Sequence, residues 1–404
     1  MLVRLPFYAA AALVAASLGG CSSPTAASPD GGTTLPPTAL TADCRTPGST
    51  NPSCSRDQTA KGVGSGVILA NPAGGFVDVA NNRVILAGYS KSGKGNVIAI
   101  NLATLERTLI SGTVEDPRTG TAVRGTGPDI AKTFDVEPLP DGQWMIYADD
   151  AFLKLDPATG NRTAFATNVV NGASVTGPCQ MAGKTVLFMN EPDGPPSMAI
   201  ATDGSVYFGS GGVNGGGPPF DNDEGILKLA PDGKCSVVSW TSDTAARQIG
   251  SGFAWKFSQG SVLIDGTSLL SLQTHDGIIV RIDPATGDRK LVSNWLDGAS
   301  VGSGGAINAP YMARVDATTV WTRGKNLGSA QVHAVTEINL TTGDRTQFKW
   351  DSDGPLGSFE SNGWVALHPS LPRVAIIVDA SLSPRVLLFE PSTGNQVLIA
   401  DNPL

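Results

Sequence analysis

One hairpin sequence recurs along this chain of 404 residues, and it limits the possible folds more than any other feature. Its fullest copy runs from His275 to Ser293, HDGIIVRIDPATGDRKLVS. Ile278, Val280 and Ile282 alternate, as they do on one face of a strand. The turn Asp283-Pro284-Ala285-Thr286-Gly287 follows, and a second strand, Arg289 to Ser293, leaves it. Pro284 presets φ for a type I turn, and Gly287 can take the positive φ that closes a bulged hairpin.

Five further copies lie along the chain. Leu153 to Thr163 is nearly identical, and Glu337 to Thr346 and Leu388 to Asn395 keep the turn glycine. Ile100 to Thr108 has Leu105 in that place, and Leu227 to Lys234 is one residue shorter and turns on Asp232-Gly233. The copies are about 50 to 75 residues apart, with four strands' worth of sequence in each interval, which is the signature of a β-propeller. The expected fold is therefore all-β: a six-bladed β-propeller of four-stranded antiparallel blades. The longest interval, before Leu227, also holds the hairpin-like stretch Gln180 to Met189. It reads as an insertion, with a degenerate seventh blade as the alternative. The 49 glycines, 28 prolines and only 16% charged residues suit many short strands joined by tight turns.

Expected blades run from about Gly75 to Ser111, Asp135 to Thr167, Met198 to the Leu227 hairpin, Phe253 to Ser293, Tyr311 to Trp350, and Trp364 to Ala400. The apolar run Val374 to Val378 is expected to be an inner strand buried on both faces. Lys154, Lys228 and Arg281 occupy equivalent hairpin positions and read as partly solvated cations. Closure of the ring is expected to rest on packing, although Gly66 to Ala70 is apolar enough to add an edge strand.

Residues 1–20 read as a secretory signal, with Arg4 as the basic region and Phe7 to Leu18 as the apolar core. The sequence Leu18-Gly19-Gly20-Cys21 resembles a bacterial lipobox, which implies acylation of Cys21 and attachment to a lipid bilayer. Ser22 after the cysteine then favours the outer membrane of a Gram-negative cell. Residues 21–62 read as a lipidated tether too polar and small to build a core, and residues 63–404 as the propeller. An exported chain meets oxidising conditions, so Cys44 and Cys54 are candidates for a disulfide. Whether Cys179 pairs with Cys235 stays open.

The hairpin unit, an apolar strand followed by Asp-Pro-Ala-Thr-Gly-Asp/Asn-Arg, resembles six-bladed propellers of the TolB-like, NHL and SMP-30/gluconolactonase kinds. That resemblance covers most of residues 75–400 and implies a fold shared by many unrelated activities. In propellers of this kind a site lies at the mouth of the central channel. Asp129, Asp135 and Glu137 follow in one link and the strand it feeds, and a channel carboxylate is expected among them, with Asp135 and Glu137 as candidate catalytic residues. Asp221, Asp223 and Glu224, in a long glycine-rich loop, are oxygen donors of the type Ca²⁺ accepts, without the spacing of a dedicated calcium loop. The resemblance to SMP-30-type lactonases implies a divalent metal in the channel. His275 is a candidate catalytic residue, because streptogramin-lyase-like propellers use a histidine. No Gly-x-Ser-x-Gly elbow or His-Glu-x-x-His sequence is present. The net charge of −8 lacks the basic footprint of a nucleic-acid binder. The leading reading is a binding or scaffold propeller that presents its funnel to an envelope protein, peptide or glycan. The alternative is a metal-dependent, lactonase-like hydrolase.

Overall fold

The computed structural model describes residues 64–402, except 149–150, 168–178, 182–183, 187–196, 212–223, 243–244, 246–247, 255–258, 274–276, 295–300, 327–332, 350–362, 372, 380–383 and 393–394. Six antiparallel sheets follow one another along the chain. Blade 1 holds β1 (Pro72–Asp78), β2 (Arg83–Tyr89), β3 (Gly95–Asn101), β4 (Arg107–Asp116) and a fifth strand, β5 (Gly120–Arg124). Blade 2 holds β6 (Thr133–Pro138), β7 (Trp144–Ala148), β8 (Ala151–Leu155) and β9 (Arg162–Thr167). A separate two-stranded hairpin, β10 (Cys179–Met181) with β11 (Lys184–Val186), follows. The long interval is therefore an insertion between six blades.

Blade 3 holds β12 (Met198–Ile200), β13 (Val206–Gly211), β14 (Glu224–Leu229) and β15 (Cys235–Thr241). Blade 4 holds β16 (Gln259–Asp265), β17 (Ser268–Gln273), β18 (Ile278–Ile282) and β19 (Arg289–Ser293). Blade 5 holds β20 (Ile307–Asp316), β21 (Thr319–Asn326), β22 (His333–Asn339) and β23 (Arg345–Lys349). Blade 6 holds β24 (Val365–Leu367), β25 (Ala375–Asp379), β26 (Arg385–Glu390) and β27 (Asn395–Asp401). The first strands β1, β6, β12, β16, β20 and β24 each neighbour the next, and β24 neighbours β1, so the sheets close into a six-bladed β-propeller.

The core lies between blades rather than at one centre. One apolar cluster joins Ile85 and Ala87 of blade 1 to Val136 and Ile146 of blade 2. Similar clusters fill the interfaces of blades 2 and 3, 3 and 4, and 4 and 5, and a larger one joins blade 5 through blade 6 to blade 1. The uninterrupted apolar runs belong to second strands. All of β7 and β25 is buried because each is covered on both faces by neighbouring blades. Val374 to Val378 thus lies one strand out from the axis, and the first strands carry the polar residues.

A repeated device fixes neighbouring blades. Arg107, Arg162, Arg289 and Arg345 leave the hairpin turns and open the outer strands β4, β9, β19 and β23. Before each of these blades runs a Gly-Ser-Gly or Gly-Thr-Gly link, at 64–66, 125–127, 250–252 and 302–304. The backbone N–H of each arginine donates to the central Ser or Thr carbonyl of the link at 2.8 Å. In return, the N–H and hydroxyl of Ser251 donate to Asp288, and those of Ser303 to Asp344, at 2.7–2.8 Å. The guanidinium then crosses to the preceding blade. Arg162 reaches Ser111, Arg289 reaches Ser239 and Arg345 reaches Ser293, each at 2.7 Å. Each of these serines donates to the turn-glycine carbonyl of the next hairpin.

The link glycines are therefore more than turn formers. Gly252 has φ +95°, and a Cβ there would lie 2.0 Å from the Arg289 carbonyl oxygen. The same device closes the ring: Arg107 donates to the Val67 and Asp401 carbonyls at 2.6 and 2.8 Å. Asn402 completes the closure with a pair of 2.7 Å hydrogen bonds to the backbone of Leu69. The segment around Gly66 to Ala70 clamps blade 1 to blade 6 without adding a strand to the last sheet.

The hairpin cations are half-buried and paired. Lys154, Lys228 and Arg281 lie 3.7, 4.0 and 2.8 Å from Asp141, Asp203 and Asp265, the acids at or beside the turns joining first and second strands. Lys154 and Lys228 also lie over the rings of Phe165 and Tyr207.

Replacing Arg289 by Ala leaves buried carbonyls and the Ser239 hydroxyl without their donor, and is expected to cost about 2–4 kcal/mol. Gly252→Ala is expected to destabilise comparably through strain alone. Chemical denaturation checks both; an Arg289→Ala change below about 0.5 kcal/mol contradicts the assignment.

An axial carboxyl cluster as the candidate functional site

The innermost strand of blade 2 brings together the two carboxylates singled out in the sequence. Thr133-Phe-Asp-Val-Glu-Pro138 forms β6, with a bulge between Thr133 and Asp135. Before the bulge, the Thr133 hydroxyl faces blade 1, where it bonds the Gly88 backbone and donates to the Asn96 carbonyl. After it, Asp135 turns toward blade 3. One Asp135 carboxylate oxygen accepts from the Met198 N–H of β12 at 2.8 Å, and the other from the Val136 N–H at 3.0 Å. A Cβ at Gly74, on the inner strand of blade 1, would lie 2.4 Å from Asp135 Oδ1. Asp135 thus touches the inner strands of three blades, and only glycine fits at position 74.

Asp135 is 1% exposed. Burial raises its pKa to about 8, against the opposing effect of its two backbone donors. Glu137 lies two residues along, on the same face of β6. Burial and then the nearby Asp135 push its pKa well above the usual carboxylate range. Glu137 is itself only half-buried, on the inner strand of blade 2.

Tyr311, on the inner strand of blade 5, completes the cluster. It is 1% exposed, and among the described residues its hydroxyl has no hydrogen-bond partner. Burial raises its pKa well above normal, and the charges of Asp135 and Tyr89 add to the effect. Blades 2 and 5 are opposite one another in a ring of six, so the electrostatic influence of Asp135 on Tyr311 runs between opposite blades. On the same strand as Asp135, Phe134 makes edge contacts with the rings of Tyr89 and Tyr147, at 6.4 and 6.3 Å. Between blades 3 and 4, the Ser197 hydroxyl donates to Ser261 at 2.9 Å and accepts from the Val262 N–H. A carboxyl that is protonated at neutral pH, as the raised pKa of Asp135 implies, and a buried phenol can donate hydrogen bonds as well as accept them. The acids also ionise readily if a cation arrives, since no counter-charge now holds them ionised.

Of the other expected site residues, Asp221, Asp223 and His275 lie outside the described residues, as do Cys21, Cys44 and Cys54. Glu224 opens β14, a third strand, where it is buried opposite Thr241. Among the described residues no three His, Cys, Asp or Glu side chains gather as a metal-binding group. His368 is structural: its Nδ1 accepts the Ser370 and Leu371 N–H groups at 3.1 Å, and burial lowers its pKa. Sequence reasoning missed Tyr311 and Gly74. The available signal was their place on first strands, where polar and small residues interrupt the apolar pattern.

No family model matches the chain, and no curated protein matches it. Solved structures similar to it include regucalcin, a calcium-binding protein from Agrobacterium tumefaciens, at 15% identity and a TM-score of 0.44, over 85% of this chain and 95% of that one. TolB from Acinetobacter baumannii is similar at 10% identity and a TM-score of 0.47, over 79% and 63%. A chain of a nidogen/laminin complex is similar at 10% identity and 0.42, over 68% and 78%.

The raised pKa of Asp135 fixes the sign of a pH effect. Between the unfolded value near 3.8 and the folded value of about 8, the folded state holds more protons, so this group's contribution to stability is full below the lower value and falls as pH rises to the upper. Asp135→Asn is expected to flatten that decline in urea unfolding between pH 5 and 8. An unchanged slope removes the assignment.

Proposed function

We propose that this protein is an envelope-anchored binding propeller, held to a membrane by acylated Cys21 and receiving a polar ligand in its axial channel. The observation that carries this reading is the cluster on the inner strands: Asp135 and Tyr311 are buried, Glu137 is half-buried beside Asp135, and among the described residues the Tyr311 hydroxyl has no partner. A buried polar group without a partner costs stability, and such a cost is commonly retained where a ligand completes the bonding. The ligand is a hydrogen-bonding segment of a protein, peptide or glycan from the envelope. The lipobox resemblance at Cys21 and the polar tether over residues 22–62 support placement at a membrane face, with the outer membrane favoured.

A second reading rests on the same pair of acids. Two carboxyls on one channel strand are the beginning of an oxygen donor set for a divalent ion such as Ca²⁺, as a lactonase-like hydrolase requires. The glycine-rich loop with Asp221 and Asp223 would have to supply the remaining donors.

Elemental analysis of the purified soluble part, residues 22–404, separates the readings when paired with melting curves in the presence and absence of EDTA. The binding propeller is expected to be free of stoichiometric metal and indifferent to EDTA. A bound divalent ion whose removal lowers the melting temperature, together with turnover in a screen of lactones, would put the hydrolase reading in its place. Independently, labelled fatty acid is expected to enter the wild-type chain and not Cys21→Ala; equal labelling of both refutes the anchor.

A further inference from the structure

Blade 3 departs from the interblade device in a coordinated way. In the register of the outer hairpins, Arg107, Arg162, Arg289 and Arg345 face Ile100, Leu155, Ile282 and Ile338. The residue that faces Leu229 in blade 3 is Cys235. The serine is missing too. Ser111, Ser239 and Ser293 face Val97, Ile226 and Ile279, and the matching residue of blade 2, facing Phe152, is the buried Ala166. Both halves of the polar lock are thus absent from the junction of blades 2 and 3. Cys235 is instead disulfide-bonded.

The link that enters blade 3 carries its own cysteine. Where blades 1, 2, 4 and 5 are preceded by Gly-Ser-Gly or Gly-Thr-Gly, the chain here forms the hairpin of β10 and β11, and β10 begins at Cys179. This strand runs beside β15, which begins at Cys235. The placement matches Gly66 beside Arg107 and Gly252 beside Arg289, which form parallel bridges at the corresponding points of blades 1 and 4.

We propose that Cys235 is bonded to Cys179, and that this disulfide replaces the arginine lock by tying the incoming link of blade 3 covalently to its outer strand. Two thiols are oxidised together, losing two protons and two electrons to the thiol-oxidising machinery of an exported protein's compartment. The ring therefore reaches its full stability only where disulfides form. That conclusion rests on export of the chain, but not on acylation of Cys21 or on any ligand.

The test uses the exported, mature protein. Non-reducing digestion and mass spectrometry are expected to yield a peptide joining Cys179 to Cys235. Cys235 joined to Cys44 or Cys54, or recovered as a free thiol, overturns the pairing. Reduction, Cys179→Ser and Cys235→Ser are each expected to lower the melting temperature by a similar amount, on the order of 5 °C, with no further loss in the double variant. They are also expected to open the insertion to trypsin at Lys184. If reduction changes neither melting nor cleavage, the bond is not a lock.

Discussion

The guanidinium that leaves the hairpin turn and crosses to the preceding blade is the interaction on which this ring depends. A propeller has no single core; it has a circle of interfaces, and each must be specified. Apolar packing supplies most of the attraction between blades but does little to choose their angle or register. The arginines of blades 1, 2, 4 and 5 supply that choice by bonding the incoming link and the neighbouring blade with one planar group. Burial lowers the pKa of Arg107 to about 10, with Asp401 opposing the effect, so the group stays charged at neutral pH. Blade 6 has Gln396 in the arginine position and is joined differently. Arg323 of blade 5 donates to the Val378 carbonyl at 2.5 Å and lies 3.7 Å from Asp379, which also pairs with Arg385.

Rigidity of the ring is what makes the axial cluster tenable. Asp135 bonds the backbone of blade 3 and fills the space left by Gly74 in blade 1, so its position is set by three blades. A buried acid in a looser scaffold would swing out to water. Here it stays inside and becomes neutral. The nearby Glu137 cannot easily ionise while Asp135 is charged, which keeps the pair responsive to whatever enters the channel.

Much of this was legible in the sequence. The Asp-Pro-Ala-Thr-Gly-Asn/Asp-Arg hairpins gave the blade number, because turn chemistry is local and Pro and Gly demand particular backbone angles. Asp135 and Glu137 were visible as acids on the strand leaving an interblade link. The layer order was not: Val374 to Val378 looked innermost because it is wholly apolar, yet strands covered by two neighbouring blades are more apolar than strands facing a channel. The role of Gly252 and its equivalents was hidden because their constraint comes from a carbonyl some 40 residues away. Tyr311 could not be recognised for a similar reason, since its relation to Asp135 exists only once the ring has closed.

The measurement that bears most directly on this account is the titration of Asp135 itself, followed by ¹³C NMR of carboxyl-labelled protein and assigned with Asp135→Asn. The account predicts a resonance that stays protonated through mildly acidic pH and titrates near 8. A resonance that titrates near the ordinary aspartate value of 3.8 would mean that the axial acids are solvated and ionised, and would contradict the enclosed site.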